Sequence, residues 1–168
     1  MSKISLYTNV FCDEDYNKIW SYLTSNNWSF GHVSNRGSLK RFWSMDFTND
    51  SFFTEHLFNK IKCLIGNNYI LERVYANGQT HGLDGEFHQD CLDEYGYTFL
   101  YYPSKEWKLD WGGSTVIVDG TEPKLVYPFP NTAVIFPGKL FHCGNAPSRE
   151  FYDLRVSIAF KIRQLLDT

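Results

Sequence analysis

The chain has no proline before Pro103, and no apolar run that approaches the roughly 20 residues of a membrane-spanning helix. A membrane span is therefore not expected. Cysteine is sparse: Cys12, Cys63, Cys91 and Cys143 stand far apart and form no CxxC pair. Four such residues in a 168-residue chain make neither a disulfide framework nor a zinc knuckle, and four reduced core thiols in a cytoplasmic protein are expected. The first ten residues lack a hydrophobic signal core, so export is not expected. Positive charge is also short. With 16 Lys and Arg against 19 Asp and Glu, the net charge is −3, which argues against a nucleic acid or an anionic membrane surface as partner.

What the chain has in quantity is aromatic side chains, 18% of all residues, suited to strands and cleft walls. Its length fits a single domain over residues 1–168 with a sizeable core. All six prolines lie between Pro103 and Pro147, and ten of the twelve glycines lie between Gly66 and Gly144. Helices should therefore come early and turn-rich strands late. Tyr16, Ile19, Trp20 and Leu23 recur at helical spacing, with Asp13 and Asp15 at the favourable end of the dipole, and predict a helix over 13–24. Phe53, Leu57, Ile61 and Leu64 predict a second over 51–65, capped by Asp50 and stopped by Gly66. A strand over 40–47 separates them. Beyond Gly66 the period becomes two, giving eight strands at 69–75, 86–90, 97–102, 115–118, 124–127, 133–136, 140–143 and 154–162. Turn pairs such as Asn77-Gly78, Gly112-Gly113, Asp119-Gly120 and Pro137-Gly138 punctuate them. The expected fold is mainly β: a double-sheet jelly-roll barrel over 67–163, with two N-terminal helices from a supporting region, 1–66, packed outside.

The chemistry centres on Phe87-His88-Gln89-Asp90-Cys91. In a strand, His88 and Asp90 face the same way, and His142 could supply a third ligand. Two imidazoles and one carboxylate on one face of a metal leave its other positions open, as in non-haem Fe(II) oxygenases. An isolated HxD pair arises easily by chance; the later His, Arg and Ser add weight. His81, in a glycine-rich loop, and Glu86, on the same strand face, are rival ligands. Cys91 and Cys143 turn the other way and are read as core thiols. In Leu154-Arg155-Val156-Ser157-Ile158-Ala159-Phe160, Arg155 and Ser157 share the face opposite Val156, Ile158 and Phe160. An Arg in an apolar strand is costly unless it meets an anion, either a ligand carboxylate or an internal Asp or Glu.

The ordered run HxD, His, RxS on such a barrel resembles the Fe(II)- and 2-oxoglutarate-dependent dioxygenases, and more closely their prolyl-4-hydroxylase-like branch. The resemblance spans residues 69–162 and includes Tyr75-Ala-Asn-Gly78, Phe99-Leu-Tyr-Tyr-Pro103, Trp111-Gly-Gly113 and Val134-Ile-Phe-Pro-Gly138. It implies a double-stranded β-helix with His88, Asp90 and His142 as iron ligands. Arg155 and Ser157 would receive the distal carboxylate of 2-oxoglutarate, and the Tyr102 hydroxyl would reach the same group, with Thr98 on its strand face. The thirteen residues from His142 to Arg155 exceed the common spacing and imply an inserted turn at Pro147-Ser148-Arg149.

The implied reaction hydroxylates an aliphatic C–H bond using Fe(II), 2-oxoglutarate and O2, with ascorbate as a candidate reductant and succinate and CO2 as coproducts. A prolyl residue in a peptide or protein, or free proline, is the first substrate candidate, held by the loops at 77–86 and 104–111. Trp107 and Trp111 could cover the site or merely pack. Two alternatives stand beside this reading: a cupin-like protein that binds a metal or small acid without turnover, and an oxygenase acting on nucleic acid. The oligomeric state is left open.

Overall fold

The computed structural model describes residues 4–166. Its centre is strand β10 (Arg155–Gln164), which pairs antiparallel with β4 (Tyr69–Gln79) on one side and β5 (Gly96–Tyr102) on the other. Alternation along β10 divides its side chains between two cores. Val156, Ile158, Phe160 and Ile162 enter an outer core beneath the helices. Arg155, Ser157, Ala159 and Lys161 face a cavity within the barrel. β5 divides in the same way, with Phe99 and Tyr101 outward and Thr98, Leu100 and Tyr102 inward.

The large sheet has seven strands in the order β1-β8-β5-β10-β4-β3-β2, where β1 is Ser5–Thr8, β2 Ser29–His32, β3 Phe42–Asp46 and β8 Thr132–Pro137. The small sheet has three, β7-β6-β9: Glu122–Val126, Thr115–Asp119 and His142–Gly144. Leu100, Tyr102, Val134 and Phe136 from the first pack against Ile117 and Val126 from the second. Helix α1 (Asp13–Leu23) contributes Ile19 and Leu23 to the outer core. Helix α2 (Phe58–Ile65) is preceded by π-helical turns over Phe52–Leu57, and together they bury Phe53, Leu57 and Ile61 completely. Each such side chain contributes roughly 1.5–3 kcal/mol of burial. Phe53 also stacks on Phe47 with ring centroids 3.8 Å apart. Asp50 caps this segment as expected, its Oδ1 accepting the Phe52 N–H at 2.9 Å. Among the described residues, no helix is long and apolar enough to cross a membrane.

Several local readings change. The strand expected over 40–47 is β3, and the first 66 residues supply two more, β1 and β2, all three joining the large sheet. β1 and β2 have four residues each, too short to show a period. Asn77-Gly78 is not a turn but lies inside β4, paired with Ser157 and Val156. Gly78 is required there by close approach: a Cβ would fall 2.6 Å from Leu154 Cδ2. Residues 86–90 form no strand. Only His88 pairs, exchanging both backbone hydrogen bonds with His142 at 3.0 Å.

The cysteines do not all lie in the core. Cys12 and Cys63 are exposed, Cys91 is half-buried and Cys143 is buried. All four should titrate with a thiol reagent under denaturing, non-reducing conditions. A count of two would reveal a disulfide and overturn the expectation of a reducing compartment.

Candidate metal centre and anion pocket

His88 and His142 meet where the 86–90 segment crosses β9. Each is oriented by its own backbone: His88 Nδ1 lies 2.9 Å from the Glu86 carbonyl oxygen, and His142 Nδ1 lies 2.8 Å from that of Leu140. A carbonyl only accepts, so Nδ1 carries the proton and each Nε2 presents a lone pair. The rings stand 4.3 Å apart between centroids. Their Nε2 atoms point at Asp90, that of His88 3.5 Å from Oδ1 and that of His142 3.3 Å from Oδ2. The three ligand atoms lie within 4.8 Å of one another. Two lone pairs and a carboxylate converging without a shared proton call for a cation. The hydrogen bonds at Nδ1 are the supports that fix a metal-ligating imidazole. The residues present therefore fit a two-His-one-carboxylate metal site.

One cation is already close. The Lys161 ammonium pairs with Asp90 Oδ2 and donates to Thr98 Oγ1 at 3.0 Å. Thr98 in turn donates to Asp90 Oδ2 at 2.5 Å. Burial opposes the charge on Asp90, but the Lys161 ammonium outweighs it, holding the carboxyl far below the usual carboxylate range. Burial pushes the His142 imidazole down, against the pull of Asp90. That favours the neutral ring that a metal requires.

Arg155 lies at the other end of the cavity and is only 1% exposed. Its Nε–H donates to the Gly113 carbonyl at 2.5 Å, Nη1 to Gln79 Oε1 at 2.7 Å and Nη2 to Thr115 Oγ1 at 3.0 Å. Gln79 is itself fixed, its Nε2 donating to the carbonyls of Leu83 and Gly144. All three acceptors on Arg155 are neutral, and among the described residues no carboxylate pairs with it. The internal salt bridge considered from sequence is absent among them. Burial lowers the guanidinium pKa, but arginine stays protonated, so an uncompensated charge faces the cavity. A guanidinium has five N–H groups, and the two left over lie one on each terminal nitrogen, the fork that a carboxylate matches.

Ser157 and Thr98 line this cavity as expected. Tyr102 does not. It is fully buried behind the cavity, and its hydroxyl donates to Thr115 Oγ1 at 2.8 Å. Thr115 thus stands between Tyr102 and the space before Arg155, and Tyr102 orients the lining without entering it. His81 sits in an exposed loop near the Pro147 carbonyl, and neither it nor Glu86 joins the His88, Asp90 and His142 group. Trp107 and Trp111 pack together, with centroids 5.6 Å apart, and line no part of the cavity. Loop 104–111 therefore does not border it.

The sequence reading missed four residues that line the cavity. Lys161 shares a strand face with Arg155 and Ser157, and that spacing was available as a signal. Asn77 lines the cavity, and its Oδ1 is buried without a hydrogen-bond partner. Ser34 and Phe42, from the β2–β3 hairpin, also line the cavity, and the neighbouring Asn35 Nδ2 donates to the Phe87 carbonyl at 3.2 Å. The hairpin also carries exposed Arg36, Lys40 and Arg41.

No family model matches the sequence, and a search of curated proteins finds no relative. Solved structures do match. A Trichoplax adhaerens prolyl hydroxylase, in complex with a hypoxia inducible factor oxygen degradation domain peptide fragment, superimposes with a TM-score of 0.76 at 16% identity, covering 98% of this chain and 84% of its own. An oxidoreductase of the 2OG-Fe(II) oxygenase family from Burkholderia pseudomallei gives 0.73 at 11% identity, covering 95% and 84%. The viral collagen prolyl hydroxylase of Paramecium Bursaria Chlorella virus-1, a 2OG complex, gives 0.65 at 13% identity and 96% of each chain. The mainly β fold expected from the sequence, a double-stranded β-helix with helices packed on its outer face, is the fold that this chain shares with prolyl hydroxylases and other 2OG-Fe(II) oxygenases.

Proposed function

We propose that this protein is an Fe(II)- and 2-oxoglutarate-dependent oxygenase that hydroxylates an aliphatic C–H bond, with a prolyl residue of a peptide or free proline as the first candidate. One observation carries the reading: a fully buried arginine without a counter-ion opens onto the same cavity as a two-His-one-carboxylate cluster. An internal strut would have found its anion within the protein. This arginine is arranged to meet an acid brought from outside, alongside a metal.

His88, Asp90 and His142 would hold Fe(II) on one face and leave the cavity side free. Bound there, iron with 2-oxoglutarate and O2 supplies the oxidising power for C–H hydroxylation, with succinate and CO2 as coproducts. The chain's own residues then do four things. Arg155 receives the distal carboxylate on its two remaining N–H groups. Gln79, Thr115 and the Gly113 carbonyl keep the fork aimed. Lys161 and Thr98 hold Asp90 Oδ2. Leu100 and Phe136 give the cavity apolar wall that excludes water. The prolyl hydroxylase neighbour that holds a peptide supports a peptide substrate, and sparse, unpaired cysteines support a reducing, cytoplasmic setting.

The test is to load the protein anaerobically with Fe(II) and 2-oxoglutarate, then admit air with proline-rich peptides, free proline or methylated oligonucleotides. Succinate release coupled to a gain of one oxygen on proline is expected. Formaldehyde release from the oligonucleotide alone would move the substrate to nucleic acid, for which the cations of the β2–β3 hairpin would then be the first suspects. Binding without any succinate would leave a cupin-like binding protein.

A further inference from the structure

The long connection from His142 to Arg155 leaves the metal cavity after Gly144. Its later part, Glu150 to Leu154, builds instead one wall of a second cleft of about 460 Å³. Trp20 of α1 and the stretch from Ser104 to Trp111 form the other walls. Leu154, just before β10, and Val156 within it reach the cleft from the side opposite Arg155, so it lies behind the sheet, away from the metal cavity. From these features we infer that this cleft docks a cationic, extended peptide segment.

Its size falls within the roughly 300–1,000 Å³ of ligand sites. Its walls are aromatic and braced. Phe151 packs on Trp107 and Trp111 with centroids 4.7 and 4.9 Å away. The indole N–H of Trp20 is already committed to the Pro103 carbonyl, and that of Trp107 to the Gly112 carbonyl. What remains for an occupant is ring surface, chiefly that of Phe151 and Tyr152. Tyr152, 95% exposed, leaves a large aromatic ring in water at the rim.

The charge at the rim selects the occupant. Glu106, Glu150 and Asp153 line the cleft, and none has a cationic partner among the described residues. The single lining lysine, Lys105, lies over the Trp20 ring, 4.7 Å from its centroid. Lys108 does the same over Trp111 at 5.1 Å. The chain's own ammonium groups thus already use these ring faces as cation sites. Three carboxylates along an aromatic trough match several positive side chains on one extended backbone. Arginine alternating with proline suits them best, because the guanidinium stacks on aromatics and proline holds the chain extended.

A fluorescein-labelled octapeptide of alternating Arg and Pro, followed by anisotropy with metal-free protein, tests this independently of any chemistry in the metal cavity. It should bind at least about tenfold more tightly than the Gln/Pro analogue, weaken as salt rises and lose out to no Glu/Pro peptide. Glu150→Gln with Asp153→Asn should weaken it about tenfold, and Tyr152→Ala several-fold. All three side chains are exposed, so unchanged melting temperatures would confirm intact folding. Arg155→Ala should leave the affinity unaltered. Equal binding of the Arg/Pro and Gln/Pro peptides, no binding of either, or binding indifferent to the cleft variants but sensitive to Arg155→Ala would overturn the inference.

Discussion

Arg155→Ala should weaken 2-oxoglutarate binding by a hundredfold or more while leaving Fe(II) affinity within a few-fold of the parent. Removing one partner of a buried, hydrogen-bonded charge pair costs about 3–5 kcal/mol, and each 1.4 kcal/mol is a factor of ten. The metal ligands come from other segments and do not touch the guanidinium, so their geometry should survive. In the ligand-free protein two consequences of the change oppose each other. Alanine removes a desolvated charge, but it strands the Gly113 carbonyl, Gln79 Oε1 and Thr115 Oγ1, which now accept from Arg155. The melting temperature should therefore move little, whereas the rise that 2-oxoglutarate gives the parent should vanish, since ligand stabilisation scales with occupancy of the folded state. Arg155→Lys should fall between, keeping the charge but losing the fork. Calorimetric titration with and without Mn(II) in place of Fe(II) separates the two affinities. Unchanged 2-oxoglutarate affinity in the alanine variant would make Arg155 a structural strut.

How far the sequence reached is clearest along β10. Its alternation was legible because every position from Arg155 to Lys161 is buried, so each residue type reports one face. The same rule placed Thr98 and Tyr102 on the cavity side of β5. It could not say how deep each side chain sits along the barrel. Tyr102 lies near the strand end, where Thr115 of the opposite sheet comes between its hydroxyl and the cavity, and no periodicity within one strand registers the sheet facing it. Asn77-Gly78 failed for a related reason. The pair carries turn chemistry, but Leu154 and Trp28 press on Gly78 and turn a local preference into a packing requirement. The convergence of His88, Asp90 and His142 was legible from their types and order even though residues 86–90 do not form the strand used to argue for it. The His88–His142 pairing and the Asp90 N–H bond to the Gly138 carbonyl set the backbone geometry instead.

A lysine near a strand end usually reaches water. Lys161 is instead buried against Asp90, and that contact yields an effect as large as the one at Arg155. Asp90→Asn should destabilise the metal-free protein by about 3–5 kcal/mol, because it leaves the Lys161 ammonium without a counter-ion in a buried site. Adding Lys161→Met should restore most of that loss, since removing both charges also removes both desolvation costs. Metal binding should remain abolished in the double variant, which separates the structural role of Asp90 from its role as ligand. The pH dependence has a definite sign. A carboxylate whose folded pKa is depressed contributes stability that is fully present above its unfolded value, near 3.9, and is lost as the pH falls through the folded value. Asp90 is held far below the ordinary range. The parent's advantage over Asp90→Asn should therefore be flat from about pH 8 to pH 5 and shrink only below about pH 4. Urea unfolding in EDTA across that range measures it. An Asp90→Asn variant as stable as the parent in EDTA would show that the Lys161 ammonium does not depend on Asp90, and the ion pair would lose its place in the account of the site.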